Sequence, residues 1–255
     1  MDKQFDSDTA ALRKRLQTNV AGARHNLEDW ILEQVRPRPG MRVLDLGCGT
    51  GKQSFAVARL VAPEGEVLGL DISADAVWEF NERAAAERAA LKAVQGSLDE
   101  ALELLKNWRF DLILSAYAIY YARDMVQLLA GLRPLLRPNG QLFICGHGRG
   151  TNQEILQLIE RLAQEPSQRP VPVEDFLSAG EIQKIEHHYA RAATVRLPNQ
   201  IRFDSVESLL GWWENHNSYV PGLRDRVTQA LRAEFAAHHG FLLTKNVLGI
   251  HLHAD

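Results

Sequence analysis

Three glycines alternate with other residues between Leu46 and Lys52, directly after a short apolar run. Residues 43–52 read Val-Leu-Asp-Leu-Gly-Cys-Gly-Thr-Gly-Lys. The apolar run predicts a buried strand, and the residues from Lys52 onward predict a helix. Glycines at such a turn let a ligand approach the backbone closely. This feature favours an α/β chain that holds a nucleotide-like ligand at the turn.

The spacing of the glycines separates three kinds of nucleotide site. A phosphate-binding loop needs Gly at position 46 and Ser or Thr at 53, where the chain has Leu46 and Gln53. A dinucleotide-binding loop needs a third glycine at the position of Lys52. The remaining pattern is D-x-G-x-G-x-G, in which Asp45 is the acid. A carboxylate there suits a ligand with an ammonium group better than a pyrophosphate.

A second acid, Asp71, ends the next apolar run, 20 positions after Gly51. An acid at this place accepts hydrogen bonds from both hydroxyls of an adenosine ribose. The alternative is that Asp71 caps the following helix, with Ser73 as a competing cap. The pairing of Asp71 with the glycine loop favours ribose binding.

Strand-like runs alternate with amphipathic segments from Met41 to Cys145. The predicted strands cover 42–46, 66–70, 91–95, 110–116 and 141–145. This alternation predicts right-handed βαβ units and a parallel sheet covered on both faces. We therefore expect a doubly wound α/β fold.

The order of these motifs resembles the class I S-adenosylmethionine-dependent methyltransferases of the small-molecule type. Residues 43–51 resemble the first motif of that family, 68–72 its acidic second motif, 110–116 its fourth-strand motif, and 132–142 the stretch before its fifth strand. The resemblance implies a Rossmann-like, mostly parallel seven-stranded sheet whose last strand, near 241–253, is antiparallel. It also implies S-adenosyl-L-methionine as the cofactor and no metal.

The resemblance assigns roles to individual residues. It implies that Asp45 contacts the amino group of the methionine part, that Asp71 holds the ribose and that Ile72 packs on the adenine. The implied cofactor-binding residues are Asp45, Gly47, Cys48, Gly49, Gly51, Asp71, Ile72, Gly96, Ser97, Leu98 and Ser115. Many small-molecule relatives have histidine where this chain has Tyr120, which argues against a histidine-based role at that position.

Three residues are catalytic candidates. Methyl transfer is an in-line displacement, so the nucleophile must be aligned about 3 Å from the methyl and water excluded. His147, flanked by glycines after the fifth strand, is the candidate general base, and the alternative is an ordinary polar loop residue. Tyr117 and Tyr120 follow the fourth strand. They are candidates for orienting substrate or facing the sulfonium, with core packing as the alternative.

The alternation of strands and helices stops after Gly150. We expect residues 1–36 to form an N-terminal helical lid and 37–164 the cofactor-binding α/β core. Residues 165–240 are expected to form a late helical insertion, including one strand, that covers the substrate. Residues 241–255 are expected to be the last strand of the core sheet.

Several polar and aromatic residues outside the core are candidates for the cover. Adjacent Trp212 and Trp213 cannot both face one stripe of a helix, so one is a candidate for the substrate pocket, with core and interface as the alternative. His216 is a competing base. Asn19 and His25 are candidates for closing the lid, with surface polarity as the alternative.

Composition limits the partners. The net charge is −3, so the chain has no basic surplus for nucleic acid or an anionic membrane. Two cysteines give no disulfide framework, and neither a signal-peptide core nor a membrane-spanning run is present, which favours the cytoplasm. We expect an enzyme that methylates a small molecule, with oxygen as the preferred acceptor atom, and that is a monomer or a homodimer. The alternatives are an RNA or protein methyltransferase and a non-catalytic cofactor-binding module.

Overall fold

A computed structural model describes residues 23–255 of the chain. Residues 1–22 of the expected N-terminal lid, including Asn19, lie outside these residues. The helices are α1 (Leu27–Val35), α2 (Lys52–Val61), α3 (Ala74–Glu87), α4 (Ala101–Leu104), α5 (Met125–Leu132), α6 (Gln153–Leu162), α7 (Ala179–Glu186), α8 (Val206–Trp213) and α9 (Arg224–His238). The strands are β1 (Arg42–Leu46), β2 (Glu66–Asp71), β3 (Leu91–Gln95), β4 (Phe110–Ala116), β5 (Leu136–His147), β6 (Arg191–Leu197), β7 (Gln200–Phe203), β8 (Phe241–Thr244) and β9 (Val247–His253).

A seven-stranded sheet has the order β3-β2-β1-β4-β5-β9-β6. The pairs β1–β2, β1–β4, β2–β3 and β4–β5 are all parallel. The strand order reverses between β1 and β4, so the carboxyl ends of these two strands flank the switch point at which doubly wound sheets bind ligands. The expected doubly wound, mostly parallel seven-stranded sheet is confirmed.

The central strands are apolar because both of their faces are covered. The side chains of Leu44, Leu46 and Ile113 are fully buried, and so is that of Leu142 in β5. Continuous apolar runs of this kind are typical of parallel strands between two layers of helices. The sheet is therefore a rigid support for whatever its carboxyl ends carry.

The expectation of one last strand over 241–255 was wrong. Residues 241–244 form β8, which pairs antiparallel with β7 in a separate two-stranded sheet, and only β9 enters the main sheet. Lys245 lies between β8 and β9, and its N–H donates to the carbonyl of Asn199 at 2.8 Å, one position beyond β7 and β8 in the same antiparallel register. The single strand expected over 194–203 is likewise two, β6 and β7. Pro198 separates them because it has no N–H for a strand ladder.

The described chain divides into two compact units. The sheet unit contains residues 27–146, 176–195 and 248–255, and the second unit contains residues 23–26, 147–175 and 196–247. This division differs from the boundaries expected at 164/165 and 240/241. Helix α6 belongs to the second unit and not to the α/β core, whereas α7 belongs to the sheet unit and not to the insertion.

Hydrogen bonds and an ion pair explain why distant stretches form the second unit. The carboxylate of Glu154, at the start of α6, accepts a hydrogen bond from the N–H of Thr244 at 2.9 Å. Asp175 accepts hydrogen bonds from both terminal nitrogens of Arg196, at 2.8 and 2.7 Å. These contacts join residues 147–175 to residues 196–247. No helix among residues 23–255 is both long and apolar enough to cross a membrane.

Candidate cofactor site and active site

The glycine loop follows β1, and its backbone has conformations that residues other than glycine rarely adopt. Gly47, Gly49 and Gly51 have φ values of 72°, 53° and 88°. A Cβ on Gly47 would lie 2.1 Å from the Cβ of Ala118, whereas a Cβ on Gly49 would meet nothing within 4 Å. Gly47 is therefore required by packing as well as by its φ, and Gly49 faces open space. The loop presents free space beside Gly49 at the switch point.

Asp71 connects the glycine loop to the end of β2. Its Oδ2 accepts a hydrogen bond from the N–H of Gly49 at 2.7 Å, and its Oδ1 accepts one from the N–H of Ser73 at 2.9 Å. The cap of α3 is Ser73, whose hydroxyl accepts a hydrogen bond from the N–H of Ala76 at 3.3 Å. Asp71 is thus not the helix cap, and each of its oxygens has a second lone pair for a further donor.

Asp45 is a buried carboxylate directly below the loop. Its residue is 2% exposed, and its Oδ2 accepts a hydrogen bond from the hydroxyl of Ser54 at 2.5 Å. Burial raises the pKa of Asp45 to about 6, partly opposed by the Ser54 hydrogen bond and increased by the negative charge of Asp71. A carboxylate in this setting gains from a nearby cation, because the cation offsets the lost hydration. Strongly shifted groups of this kind are common at functional sites.

The residues after β3 border the same end of the sheet. Gly96 donates its N–H to the carbonyl of Asp71 at 2.9 Å, which fixes the exit of β3 beside the exit of β2. The carboxylate of Glu100 accepts hydrogen bonds from the N–H and the hydroxyl of Ser97, at 3.0 and 2.8 Å. Ile72 is 45% exposed, so its apolar side chain is open to a flat ligand.

Two predicted cofactor residues have structural contacts of their own. The hydroxyl of Ser115 is fully buried and donates to the carbonyl of Leu46 at 2.8 Å, which ties β4 to β1 beside the loop. The Cys48 side chain is 5% exposed, and burial raises the pKa of its thiol. Cys48 therefore stays a neutral thiol that fills space below the loop.

The segment after β4 carries the candidate tyrosines. Tyr117 has a φ of 58°, which is unusual for a bulky residue, and its N–H donates to the carbonyl of Cys145 at 2.8 Å. Burial raises the pKa of the Tyr117 phenol, so it stays protonated and cannot serve as a base at neutral pH. The ring of Tyr120 lies 5.0 Å from that of Tyr121 and 6.1 Å from that of Phe176, measured between centroids.

The two candidate histidines lie outside the sheet unit. His147 is the last residue of β5, is half-buried, and groups with the second unit. In the second unit, His216 Nδ1 accepts a hydrogen bond from the N–H of Ser218 at 3.1 Å, and its Nε2 lies 3.2 Å from the side-chain nitrogen of Asn152. An Nδ1 that accepts a backbone N–H is not available to take a proton from a substrate. The Nδ1 of His216 is thus engaged within its own turn.

The adjacent tryptophans are both buried, at 2% exposed for Trp212 and 0% for Trp213. Of the two alternatives given for this pair, a place in the substrate pocket and packing in the core, burial of both side chains favours core packing. Helix α8 packs against both β7 and α9, so two of its faces are covered and neighbouring residues can both be internal. Trp212 stacks on the ring of His216 with centroids 4.7 Å apart, and Trp213 donates from its indole nitrogen to the carbonyl of Ser218 at 3.2 Å.

The structure brings the predicted cofactor residues together in one unit and adds two residues that the sequence did not indicate. All eleven lie in the sheet unit from β1 to the end of β4, and the candidates Tyr117 and Tyr120 follow β4 in the same unit. Ser54 and Phe176 were missed, because neither belongs to a recognisable motif. Among residues 23–255, no group of three or more His, Cys, Asp or Glu side chains is arranged to hold a metal ion.

The chain is similar to known proteins in sequence. Residues 37–194 match a family model described as a methyltransferase domain. The chain is 35% identical over 117 residues to nocamycin O-methyltransferase of Saccharothrix syringae, covering 46% of this chain and 41% of the relative. It is 37% identical over 110 residues to trans-aconitate 2-methyltransferase of Deinococcus radiodurans, covering 43% of this chain and 39% of the relative. The chain thus spans less than half the length of these two curated relatives.

The similarity of fold extends further along the chain. The crystal structure of the YcgJ protein from Bacillus subtilis matches with a TM-score of 0.54 at 16% identity. This match covers 89% of the present chain and 97% of the YcgJ chain.

Proposed function

Since the chain belongs to the methyltransferase domain family, as a class I S-adenosylmethionine-dependent member, we propose that it transfers a methyl group from this cofactor to an oxygen atom of a small molecule. One observation carries the proposal most directly. Two carboxylates, Asp45 and Asp71, flank a single glycine loop that has open space beside Gly49. A cofactor with an ammonium group at one end and a ribose at the other suits this pair.

The residues of the site fit the cofactor group by group. The buried Asp45 is suited to the ammonium, since a cation there offsets the cost of its burial. Asp71 has lone pairs left for the ribose hydroxyls, beyond those that Gly49 and Ser73 occupy. The exposed face of Ile72 suits the adenine. When bound, S-adenosylmethionine supplies a methyl group on a positively charged sulfonium.

The chain's own task is to align the acceptor and to exclude water. We assign His147 the role of accepting the proton of an acceptor hydroxyl as the oxygen attacks. A carboxylate acceptor needs no base, and alignment alone then supports the rate. Tyr117 and Tyr120 are assigned to orienting the acceptor or facing the sulfonium, with the Tyr117 phenol as a donor because burial raises its pKa.

The names of the relatives support a small acceptor and transfer to oxygen. Nocamycin O-methyltransferase and trans-aconitate 2-methyltransferase are both named for small molecules, and the first is named for transfer to oxygen. The net charge of −3 also gives the chain no general attraction to RNA.

Titration calorimetry with S-adenosylmethionine and with NAD tests the cofactor. A methyl-transfer assay with small hydroxy and carboxy compounds, with and without competing RNA, tests the acceptor. We expect binding of S-adenosylmethionine alone, and turnover of small acceptors that RNA does not inhibit. Binding of NAD in preference would contradict the cofactor assignment, and turnover only of RNA or protein would contradict the small-molecule acceptor. Cofactor binding without any turnover would support a non-catalytic module instead.

A further inference from the structure

Aromatic side chains gather at the carboxyl ends of β4 and β5 in the sheet unit. Tyr120 and Tyr121 follow β4 in a short turn, and Phe176 comes from a stretch 30 residues beyond Gly146. The Tyr120 ring makes an angle of 60° with the Phe176 ring at 6.1 Å, and of 52° with the Tyr121 ring at 5.0 Å. All three rings are only partly buried, so part of each is open to a ligand.

A glycine near the end of β5 lets the rings of Tyr120 and Phe176 pack close to the strand. A Cβ on Gly146 would lie 2.9 Å from Cδ1 of Phe176 and 3.1 Å from Cε1 of Tyr120. Gly146 is buried, and both rings pack over the place where any other residue has its side chain. The absence of a side chain at 146 therefore determines how deep the two rings sit.

The same segment is fixed to the glycine loop. Ala118 lies against Gly47, at 2.1 Å from where a Cβ on that glycine would be, and Ile119 is fully buried. The N–H of Tyr117 donates to the carbonyl of Cys145, which ties the start of the segment to β5. The ring of Tyr120 thus belongs to a segment that contacts the glycine loop directly, and the ring of Phe176 packs against it.

We propose that Phe176 and Tyr120 form a wall of the acceptor site that selects an acceptor with a flat aromatic ring, and that Phe176 is a specificity-determining residue. This inference rests on the proposed methylation of a small molecule. Rings that meet at steep angles offer a third ring both a face and an edge, which is the geometry that aromatic groups prefer. The wall residues Gly146, Tyr120, Tyr121 and Phe176 carry no charge at neutral pH, which favours a neutral ring over an ionic acceptor.

The test uses the full chain and compares a pair of probes of matched size with each other and with a third, ammonium-bearing probe. 2-Naphthol is flat and aromatic, decahydro-2-naphthol is saturated, and 2-(dimethylamino)ethanol serves as an ammonium-bearing acceptor. Binding is measured by calorimetry in the presence of S-adenosylhomocysteine, and methyl transfer is measured separately. We expect the wild type to bind 2-naphthol at least about tenfold more tightly than its saturated counterpart, which corresponds to roughly 1.4 kcal/mol.

Variants of the wall residues test whether the preference for 2-naphthol over decahydro-2-naphthol depends on this wall. Phe176→Ala and the bulkier Phe176→Leu should each weaken 2-naphthol binding by about tenfold and leave decahydro-2-naphthol nearly unchanged. Gly146→Ala should reduce the same preference by displacing both rings. Gly180→Ala is the matched control, because a Cβ there meets nothing within 4 Å. Affinity for S-adenosylhomocysteine should stay within about twofold in every variant.

Three results would overturn the inference. They are equal binding of the flat and saturated probes by the wild type, an unchanged preference in Phe176→Leu, and preferred binding of the ammonium probe. Each of these leaves the proposed function intact as long as S-adenosylmethionine binds and some small acceptor is methylated. Loss of cofactor binding in the wild type would instead contradict the proposed function itself.

Discussion

The carboxylate of Asp71 accepts a hydrogen bond from the backbone N–H of Gly49 at 2.7 Å. The residue that ends β2 therefore helps to hold the glycine loop that follows β1. Because the other oxygen of Asp71 accepts the N–H of Ser73, a single side chain connects two turns and the start of a helix. A change at Asp71 is expected to disturb the loop as well as the contact with the ribose.

We predict that Asp71→Ala raises the dissociation constant for S-adenosylmethionine by tenfold or more. The variant loses hydrogen bonds to a charged acceptor, each contributing roughly 1.5–3 kcal/mol. Calorimetry measures the change. Ser73→Ala is the control, because it removes the cap of α3 at a cost of about 1 kcal/mol in unfolding free energy and should leave the affinity unchanged. An unaltered dissociation constant in Asp71→Ala would limit this residue to a structural role.

Gly47→Ala should destabilise the protein much more than Gly49→Ala. Both glycines have positive φ, which costs an alanine roughly 1–2 kcal/mol, but only Gly47 adds a collision with Ala118. Overpacking of that kind costs roughly 1–3 kcal/mol more. Urea denaturation of the two variants without cofactor measures the difference. Equal losses of stability would show that the loop relaxes around Gly47.

The stability of the cofactor-free protein, taken relative to that of Asp45→Asn, should fall as the pH rises from about 4 to about 6. The pKa of Asp45 is raised from 3.8 to about 6 in the folded protein, so the folded state holds this proton more tightly than the unfolded state. The resulting loss of unfolding free energy is absent below the pKa that Asp45 has in the unfolded state. It is complete above pH 6, where it reaches roughly 3 kcal/mol. Urea denaturation of both proteins across this range measures the unfolding free energy of the wild type relative to that of Asp45→Asn. Asp45→Asn should accordingly be the more stable protein at pH 7.

Ser54→Ala provides an independent check on the pH window over which ionisation of Asp45 lowers the stability. The Ser54 hydroxyl lowers the pKa of Asp45 against the larger effect of burial, so its removal should move the window to higher pH. A window that stays in place would mean that another group titrates there.

Cofactor affinity should weaken below pH 6, by at most about tenfold per pH unit. If Asp45 binds the ammonium, its carboxylate must be ionised. Below the pKa of Asp45 the carboxyl has to lose a proton before it can bind the cofactor, and this weakens the affinity. Calorimetry between pH 5 and 8 measures this dependence. The Asp45→Asn variant should bind more weakly at pH 7 and show no change with pH. A wild-type affinity that is constant over this range would separate Asp45 from the cofactor.

His147→Ala should lower turnover by roughly 10²–10⁴ with little change in cofactor affinity, if the acceptor is a hydroxyl that must lose its proton. Activity in the wild type is then expected to rise through about pH 6–7, the range in which an ordinary histidine becomes neutral. The variant should lack that rise. A His147→Ala enzyme that keeps both the rate and the pH profile would remove this residue from the mechanism.

The sequence was sufficient for strands β1 to β4 and for where the predicted cofactor residues lie along them, because both depend on local patterns. Strands β1 and β2 and the acids Asp45 and Asp71 are set by apolar runs and by the motifs that follow them. The contacts of these acids were not predictable in the same way. Ser54 lies nine positions after Asp45, in no recognised motif, and only the fold brings its hydroxyl to the carboxylate.

The second unit could not be predicted because it is assembled from separate stretches. Nothing local in α6 indicates that it groups with residues 196–247, and the ion pair of Asp175 with Arg196 joins positions 21 apart. Phe176 follows a proline-containing stretch without periodicity, so no pattern assigned it to the sheet unit. The burial of both Trp212 and Trp213 was not predictable for a similar reason, since a helix covered on two sides is not described by a single apolar stripe.

The position of β9 between β5 and β6 has a consequence for synthesis of the chain. About 100 residues separate the end of β5 at His147 from the start of β9 at Val247. At roughly 5–20 residues per second, a ribosome needs about 5–20 s to make that stretch. Until β9 emerges, one edge of β5 lacks its partner strand, and such edges pair readily with other chains. That edge of β5 is therefore open to pairing with other chains for as long as synthesis of the intervening stretch takes.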